Sequence, residues 1–160
     1  RDWYSTPLLL TEPGSNVWKH EGILVGPVRV TVSGDMVVTK IVETRVEVGT
    51  PAALKVHVDR AGVIAYAATL YSGEAPEQVT LTLLDAQRRP VSAHFQVRTE
   101  SVLTQPRMAS TITQGPAGVV FGLPAGRYIL RAVSPSEEYD EATVDVAVGS
   151  ATEVKFSIRK

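Results

Sequence analysis

The sequence has no cysteine, and its one asparagine is Asn16. Without cysteine the chain can form neither a disulfide nor a thiolate nucleophile, although this does not identify its compartment. Asn16 is followed by Val17 and Trp18, so it is not in the Asn-x-Ser/Thr acceptor pattern of N-glycosylation. Aromatic residues are also scarce, at 6% of the chain.

A surplus of charge of either sign is missing as well, because the formal net charge is −1. Nucleic-acid-binding proteins normally carry excess Lys and Arg, since phosphate neutralisation supplies most of their affinity. We therefore expect no nucleic acid as a partner. No apolar run approaches the roughly 20 residues of a membrane helix, so we expect no membrane insertion. The chain begins with Arg1 instead of Met, which suggests a processed or trimmed product.

What the sequence does contain is alternation of apolar and polar residues with a period of two, which is typical of half-buried β-strands. In each of four such runs the apolar residues lie on one face of the predicted strand. The four sets are Val79, Leu81 and Leu83; Val91, Ala93, Phe95 and Val97; Val144, Val146 and Val148; and Val154, Phe156 and Ile158. Segments rich in Gly, Pro, Ser and Asp separate the runs. No part of the sequence shows a convincing helical periodicity. The pattern predicts an all-β, antiparallel immunoglobulin-like or prealbumin-like sandwich, with about seven strands in its complete C-terminal unit.

An internal repeat is indicated by residues 44–60, which resemble residues 144–160 at an offset of 100 positions without a gap. The matching pairs include Gly26 and Gly126, Gly49 and Gly149, and Lys55 and Lys155. Identity is low, at 5 of the 35 positions from 26 to 60. A repeat predicts two units: residues 1–60 as a partial or divergent sandwich with an N-terminal extension, and residues 61–160 as a complete sandwich. The alternative is one continuous sandwich.

The second hundred residues resemble a known family. The segments that carry the resemblance are "LTLLDAQRRPVSAHFQV" (81–97), "VVFGLPAGRYILRAV" (119–133) and "EATVDVAVGSATEVKFSI" (141–158). They are similar to the prealbumin-like sandwiches of the carboxypeptidase regulatory-like and collagen-adhesin B-type repeat families. This chain has Arg88 and Arg89 where the family turn usually carries Gly. The resemblance implies a fold and no activity.

Within "LPAG" the Pro124–Gly126 turn is expected to lead directly into a strand. Gly126 is predicted to take a positive φ, as glycine does at low cost. Leu123 is expected to close the core, and Tyr128 to resume the buried face. Because a strand follows and no helix begins here, this is not a phosphate-binding loop.

No catalytic constellation is visible in the sequence. The three histidines are His20, His57 and His94, and no pair has the spacing of a zinc site. His57 and His94 are predicted on the outward sides of their strands, as surface residues. We expect no catalytic, metal or cofactor-binding residues and no cofactor, and the chain is predicted not to be an enzyme.

Two further kinds of site were suggested by particular segments. The acidic segment 134–142 has four carboxylates that could bind Ca²⁺, although its spacing is not that of an EF-hand, and a solvated turn is the favoured interpretation. Its carboxylates are Glu137, Glu138, Asp140 and Glu141. The adhesin-repeat resemblance raises an internal Lys–Asn or Lys–Asp cross-link. Such a bond is not expected, because Asn16 lies outside the complete unit and Lys55 and Lys155 are predicted to point outward.

Two surfaces could serve binding. Trp3, Tyr4 and Trp18 could form a platform for sugar rings, although packing of the N-terminal segment is the favoured interpretation. Residues 62–71, "GVIAYAATLY", are long and almost uncharged. They predict either an edge strand that recruits a partner strand or a central strand buried on both faces.

Taken together, these patterns favour a non-catalytic, extracytoplasmic module that acts as a spacer, stalk or protein-binding unit of a larger surface or secreted bacterial protein. Its expected partners are another protein or neighbouring domains of the same polypeptide. A carbohydrate-binding accessory domain, with a glycan as partner, is one alternative. An assembly subunit completed by strand exchange with a partner chain is the other.

Overall fold

The structure is a computed structural model that describes residues 9–10, 17–19, 23–34, 36–50, 52–97 and 107–159, with the backbone alone at 9–10 and 18–19. All regular elements in these ranges are β-strands, so the predicted all-β class is confirmed. No described helix is long and apolar enough to cross a membrane. The contacts divide the chain into one unit of residues 1–30 and 41–56 and a second of residues 31–40 and 57–160.

The first elements of the chain are two short strands and a long hairpin. Strands β1 (Leu9–Leu10) and β2 (Trp18–Lys19) pair antiparallel. Strands β3 (Gly26–Gly34) and β4 (Val37–Val46) form a separate two-stranded sheet. In strand β3 of this hairpin, half-buried residues such as Val28 and Val30 alternate with exposed residues, because successive side chains of a strand point to opposite faces.

The second unit contains a five-stranded and a four-stranded sheet. Their strands, in chain order, are β5 (Gly62–Leu70), β6 (Val79–Asp85), β7 (Ala93–Val97), β8 (Arg107–Ala109), β9 (Thr111–Gln114), β10 (Ala117–Leu123), β11 (Gly126–Val133), β12 (Tyr139–Val146) and β13 (Ala151–Ile158). These nine strands exceed the seven or so predicted from the sequence. One of the additional strands arises because the chain passes at Ser110 from the five-stranded sheet to the four-stranded one. A single run is thereby divided into β8 and β9.

The five-stranded sheet has the order β13-β5-β10-β7-β8, and the four-stranded sheet has the order β12-β11-β6-β9. Strand β5 is therefore central, which decides against the edge-strand interpretation of residues 62–71. Seven of the strand pairs in the two sheets are described, and they are antiparallel except for β5 and β13, which run parallel from Val63↔Ala151 to Leu70↔Ile158. The sequence predicted antiparallel pairing, and the parallel pair of β5 and β13 departs from that prediction because alternation carries no information on strand direction.

One apolar core lies between the two sheets. Its fully enclosed side chains include Phe95, Phe156, Leu81 and Leu130, each no more than 1% exposed. The inward positions predicted for β6 and β13 are confirmed, because their alternating apolar residues are buried. In the β7 run, Ala93 and Phe95 are buried, whereas Val91 and Val97 are half-buried. Val148 was expected on the same face as Val144 and Val146, but it is 51% exposed because β12 ends at Val146 and a turn follows.

Candidate functional site

One recess of the second unit, about 310 Å³ in volume, is a candidate binding site among the described residues. Its wall combines the end of the β3–β4 hairpin with the neighbouring sheet. The residues that define it are Val38, Thr39, His94, Met108, Pro124 and Tyr128. The lining is mainly apolar, with an imidazole and a few hydroxyl groups for orientation, which is the usual composition of a small-ligand pocket.

The polar centre of this recess is His94. Its Nδ1 atom lies 2.9 Å from Oγ1 of Thr39, and its ring stacks on Phe121 at a centroid distance of 5.3 Å. His94 lies on the outward side of β7 as predicted, but Thr39 and Phe121 leave it half-buried instead of exposed. Partial burial lowers the pKa of His94 below its ordinary value of 6.5, since burial penalises the cation.

The hairpin approaches this histidine closely because of Gly122. Gly122 has a φ of +74° inside β10, where the pairing register with β5 shifts. A Cβ at this position would lie 3.4 Å from both Val37 O and Thr39 Oγ1. The positive φ favours glycine, and the absent side chain leaves room for the hairpin.

His94 and Thr39 do not by themselves make a catalytic group. A catalytic imidazole is commonly oriented by a carboxylate on its second nitrogen. The carboxylate at this recess belongs to Asp85, which instead accepts hydrogen bonds from the backbone N–H groups of Gln87 and Arg89, each 2.9 Å long. These bonds, with the Arg89 guanidinium, hold the pKa of Asp85 below its usual range. The arrangement can bind a small apolar group and donate or accept one hydrogen bond.

The Asp85 turn also explains the departure from the family pattern at Arg88. Arg88 adopts a φ of +62°, the left-handed conformation that usually favours glycine. Its guanidinium reaches Glu141, at 2.7 and 2.9 Å from the two carboxylate oxygens. The arginine thus occupies a glycine-type backbone position and makes an ion pair that glycine could not.

Glu141 is bound by a second arginine on the outer face of the four-stranded sheet. Arg131 donates from Nε to Glu141 at 2.6 Å, and its guanidinium lies over the ring of Tyr139, 5.3 Å from the centroid. Although desolvation raises the pKa of Glu141, hydrogen bonds from Arg88 and Arg131 outweigh it and hold the pKa below its ordinary value. A neighbouring pair, Arg127 and Asp145, is exposed.

The carboxylates of the acidic segment 134–142 accept hydrogen bonds from the protein and do not converge on one position where an ion could bind. Asp140 accepts a hydrogen bond from the backbone N–H of Ser157 at 2.9 Å, and Glu138 accepts one from Ser136 at 3.1 Å. Glu137 lies in the turn, with a φ of +66°. Among the described residues no three His, Asp or Glu side chains are grouped to hold a metal ion. The Ca²⁺ interpretation gains no support from this geometry.

A buried tyrosine was not singled out by sequence reasoning. Tyr66 is 3% exposed, and its hydroxyl receives a hydrogen bond of 2.5 Å from Nε2 of Gln114. Burial raises the pKa of Tyr66 to about 12. Gly118 crosses beside the ring, where a Cβ would lie 2.6 Å from the Tyr66 hydroxyl. The sequence signal for this close approach is the pair of glycines, Gly115 and Gly118, on either side of Pro116.

The "LPAG" turn differs in one respect from its prediction. Leu123 and Tyr128 are buried as expected, and Tyr128 donates a hydrogen bond of 3.0 Å to Pro124 O. Gly126 is absent from the glycines with a positive φ, and a Cβ there would meet only Tyr128, at 3.6 Å or more. The prediction of a left-handed conformation at Gly126 is wrong. Gly122, within the preceding strand, has that conformation instead.

The remaining candidates are dispersed or undescribed. Lys55, Lys155 and His57 are exposed, as predicted. His20, Asn16, Trp3 and Tyr4, and the side chain of Trp18, lie outside the described residues. The alternative of a sugar platform and the expected absence of a Lys–Asn cross-link therefore stay untested.

Comparisons with known proteins give little beyond this geometry. No family model matches the chain, and no curated protein matches it. Among solved structures, a minor pilin from the Gram-positive pathogen Streptococcus agalactiae is similar, with a TM-score of 0.45 and 16% sequence identity. The match covers 62% of this chain and 44% of that chain. A likeness at this level carries no inference about function.

Proposed function

We propose that residues 61–160 form a non-catalytic spacer module that transmits tension along a larger extracytoplasmic protein. The observation that supports this proposal is the parallel pairing of the first strand of the sandwich, β5, with its last strand, β13. The ladder extends over the whole of β13, from Ala151 to Ile158.

Parallel pairing places the entry and exit of this sandwich at opposite ends. The chain enters β5 at Gly62, beside the start of β13, and leaves β13 at Ile158, beside Leu70. At about 3.3 Å per residue, these ends are separated by roughly 25 Å along the strands. A module with this geometry extends a linear chain instead of folding it back.

The same geometry determines how the sandwich responds to tension. Opposite forces at Gly62 and Ile158 pull β5 and β13 along their common axis, so the ladder hydrogen bonds are loaded together. Breaking them one at a time would require force at a single end of the pair. The last strand is also anchored by side chains in the core, including Phe156 and Ile158, which are 1% and 0% exposed.

The free side of β13 is tied to the neighbouring β12. Asp140 accepts a hydrogen bond from Ser157 N at 2.9 Å, and Thr152 Oγ1 donates one to Asp145 O at 3.3 Å. These bonds cover part of an edge that could otherwise pair with another chain. They favour a module that keeps its own strands over one that exchanges them here.

Compartment and partners follow from the sequence-based resemblance and not from contacts in the structure. Repeats of the adhesin and carboxypeptidase-associated kinds imply an extracytoplasmic location, with neighbouring domains or another protein as partners. Partner binding is the second element of the proposal, and the recess at His94 offers one place for it among the described residues.

Single-molecule force spectroscopy tests the proposal. Because the chain has no cysteine, attachment points can be introduced at Arg60→Cys with Arg159→Cys for shear, and at Ser72→Cys with Arg159→Cys for peeling. We expect the unfolding force to be several-fold higher in the shear geometry. Equal forces in the two geometries, or a low force in shear, would contradict a tension-bearing role.

A further inference from the structure

Residues 26–50 contain counterparts of β11, β12 and the turn that follows them. At the offset of 100 residues, β3 and β11 begin at Gly26 and Gly126, and β4 and β12 end at Val46 and Val146. The turn that follows has a left-handed glycine in both places, with φ of +74° at Gly49 and +71° at Gly149. The agreement extends from the strands to the turn conformation.

The next element differs between the two units. After Gly149 the chain forms β13, whereas after Gly49 residues 52–56 form no strand. Their sequence alternates as β13 does, with Leu54 and Val56 at the positions of Val154 and Phe156. Leu54 is 40% exposed, but Val154 and Phe156 are 7% and 1% exposed. The segment therefore has the sequence of a strand without the pairing of one.

The missing feature is the partner of that strand. In the second unit β13 pairs with one strand, β5, in parallel. Among the described residues, nothing donates or accepts a backbone–backbone hydrogen bond with residues 52–56. A segment with an apolar side and no backbone hydrogen-bond partner among the described residues is a template for strand addition.

The neighbouring hairpin shows the same incompleteness. Val28, Val30 and Val46 correspond to Tyr128, Leu130 and Val146, which are 8%, 0% and 5% exposed. The three valines share the parity of their counterparts but are only half-buried. A strand added beside residues 52–56 would cover more of this apolar face, which supplies a hydrophobic contribution besides the backbone hydrogen bonds.

We propose that residues 52–56 are the closing strand of an incomplete sandwich and bind an added β-strand in parallel. The strand it accepts has the chemistry of β5: uncharged, with small and β-branched residues, as in "GVIAYAATL" (62–70). By the pairing of Ile64 with Thr152, the N-terminal end of the added strand lies toward residue 52. This site goes beyond the spacer role and does not depend on it.

The test uses the full chain and a fluorescent peptide with the sequence of residues 62–70, flanked by lysines for solubility. Hydrogen exchange is expected to be fast at residues 52–56 in the free protein. We expect the peptide to slow exchange there at least about tenfold, as strand hydrogen bonds do. The amides of β13 serve as the internal control, because β13 already has its partner.

Two substitutions distinguish binding at this site from nonspecific binding of the peptide. Val56→Asp puts a charge on the apolar side and should abolish peptide binding, measured by fluorescence anisotropy. Lys55→Asp changes the exposed side and should leave binding within about twofold, because a surface charge has little effect on an apolar contact. A quencher on Thr50→Cys should quench a dye at the N-terminus of the peptide more than one at its C-terminus.

Several results would overturn the proposal. Slow exchange at residues 52–56 in the free chain, whether from its own residues or from a second copy at high concentration, shows that the edge is already occupied. Protection confined to β8 or β9 shows that the peptide adds elsewhere. Equal binding by the Val56→Asp and Lys55→Asp proteins, or preferential quenching at the C-terminus of the peptide, excludes the stated contact or direction.

Discussion

Thr39 Oγ1 and His94 Nδ1 are 2.9 Å apart, although the two residues are separated by 55 positions in the chain. The bond joins the β3–β4 hairpin end to β7, and two backbone hydrogen bonds support it nearby, from Val38 N to Asp59 O and from Ala61 N to Met36 O. The half-buried imidazole is thus part of a tertiary contact within the second unit.

The pH dependence of stability should report this contact. The pKa of His94 is lowered in the folded state. As the pH falls through 6.5, the unfolded chain therefore binds a proton at this histidine more readily than the folded chain does. The free energy of unfolding should therefore decrease between about pH 7.5 and pH 5. Urea unfolding across this range measures the decrease.

Two histidine variants identify the source of that pH dependence. His94→Gln should flatten the stability profile above about pH 5, where the carboxylates with lowered pKa remain ionised. His57→Gln is the matched control, because His57 is exposed and outside any strand. An unchanged slope in the His94→Gln protein would disprove the role given to burial of this ring.

Arg88 and Glu141 form the second testable relationship. Arg88→Gly removes an ion pair and relieves a left-handed non-glycine backbone at φ +62°. In a Glu141→Gln background the ion pair is already weakened, so the glycine should stabilise the protein by about 1 kcal/mol. In the wild-type background the gain should be smaller, because loss of the pair offsets it.

A double-mutant cycle measured by chemical denaturation gives the coupling between Arg88 and Glu141. Arg89→Gly is a useful comparison, because Arg89 is not among the residues with a positive φ. Destabilisation by Arg88→Gly in the Glu141→Gln background would show that the backbone conformation carries no relievable strain.

Gly118 and Gly126 should respond oppositely to the same small change. A Cβ at Gly118 would lie 2.6 Å from the Tyr66 hydroxyl and would also overlap Gln96 O. Gly118→Ala should therefore destabilise the sandwich by about 2 kcal/mol or more, as overpacking does. Gly126→Ala meets Tyr128 at ordinary contact distances and should leave the melting temperature nearly unchanged.

Thermal unfolding followed by circular dichroism compares these two variants directly. Tyr66→Phe combined with Gly118→Ala should recover part of the lost stability, because the hydroxyl nearest to the new methyl group is removed. Equal melting temperatures for the Gly118→Ala and Gly126→Ala proteins would be incompatible with the described packing.

The buried faces of several strands could be predicted from the sequence, because side chains alternate across a strand at every residue. This rule placed Val79, Leu81 and Leu83 in the core, and likewise Val154, Phe156 and Ile158. It failed at Val148, where the strand had already ended and the side chain is exposed. Periodicity identifies a face but not the residue at which pairing stops.

The candidate site was much less accessible to sequence reasoning. His94 has an outward position in its strand, yet Phe121 and Thr39 cover it from β10 and the hairpin. Arg88 was noted as a departure from the family turn, but its left-handed backbone and its ion pair with Glu141 depend on a strand more than fifty positions away. No local pattern encodes such neighbours.

The sequence by itself determined that the chain is built of strands and which residues of several strands face a core, and it showed that residues 26–60 resemble residues 126–160. Those properties are local, since they follow from side-chain alternation and from turn residues. Only the tertiary structure decided that β5 is central, that β13 lies parallel to it, and that Gly122 instead of Gly126 takes the left-handed conformation. Strand partners and close approaches depend on which distant edges meet, and alternation is the same whichever partner a strand has.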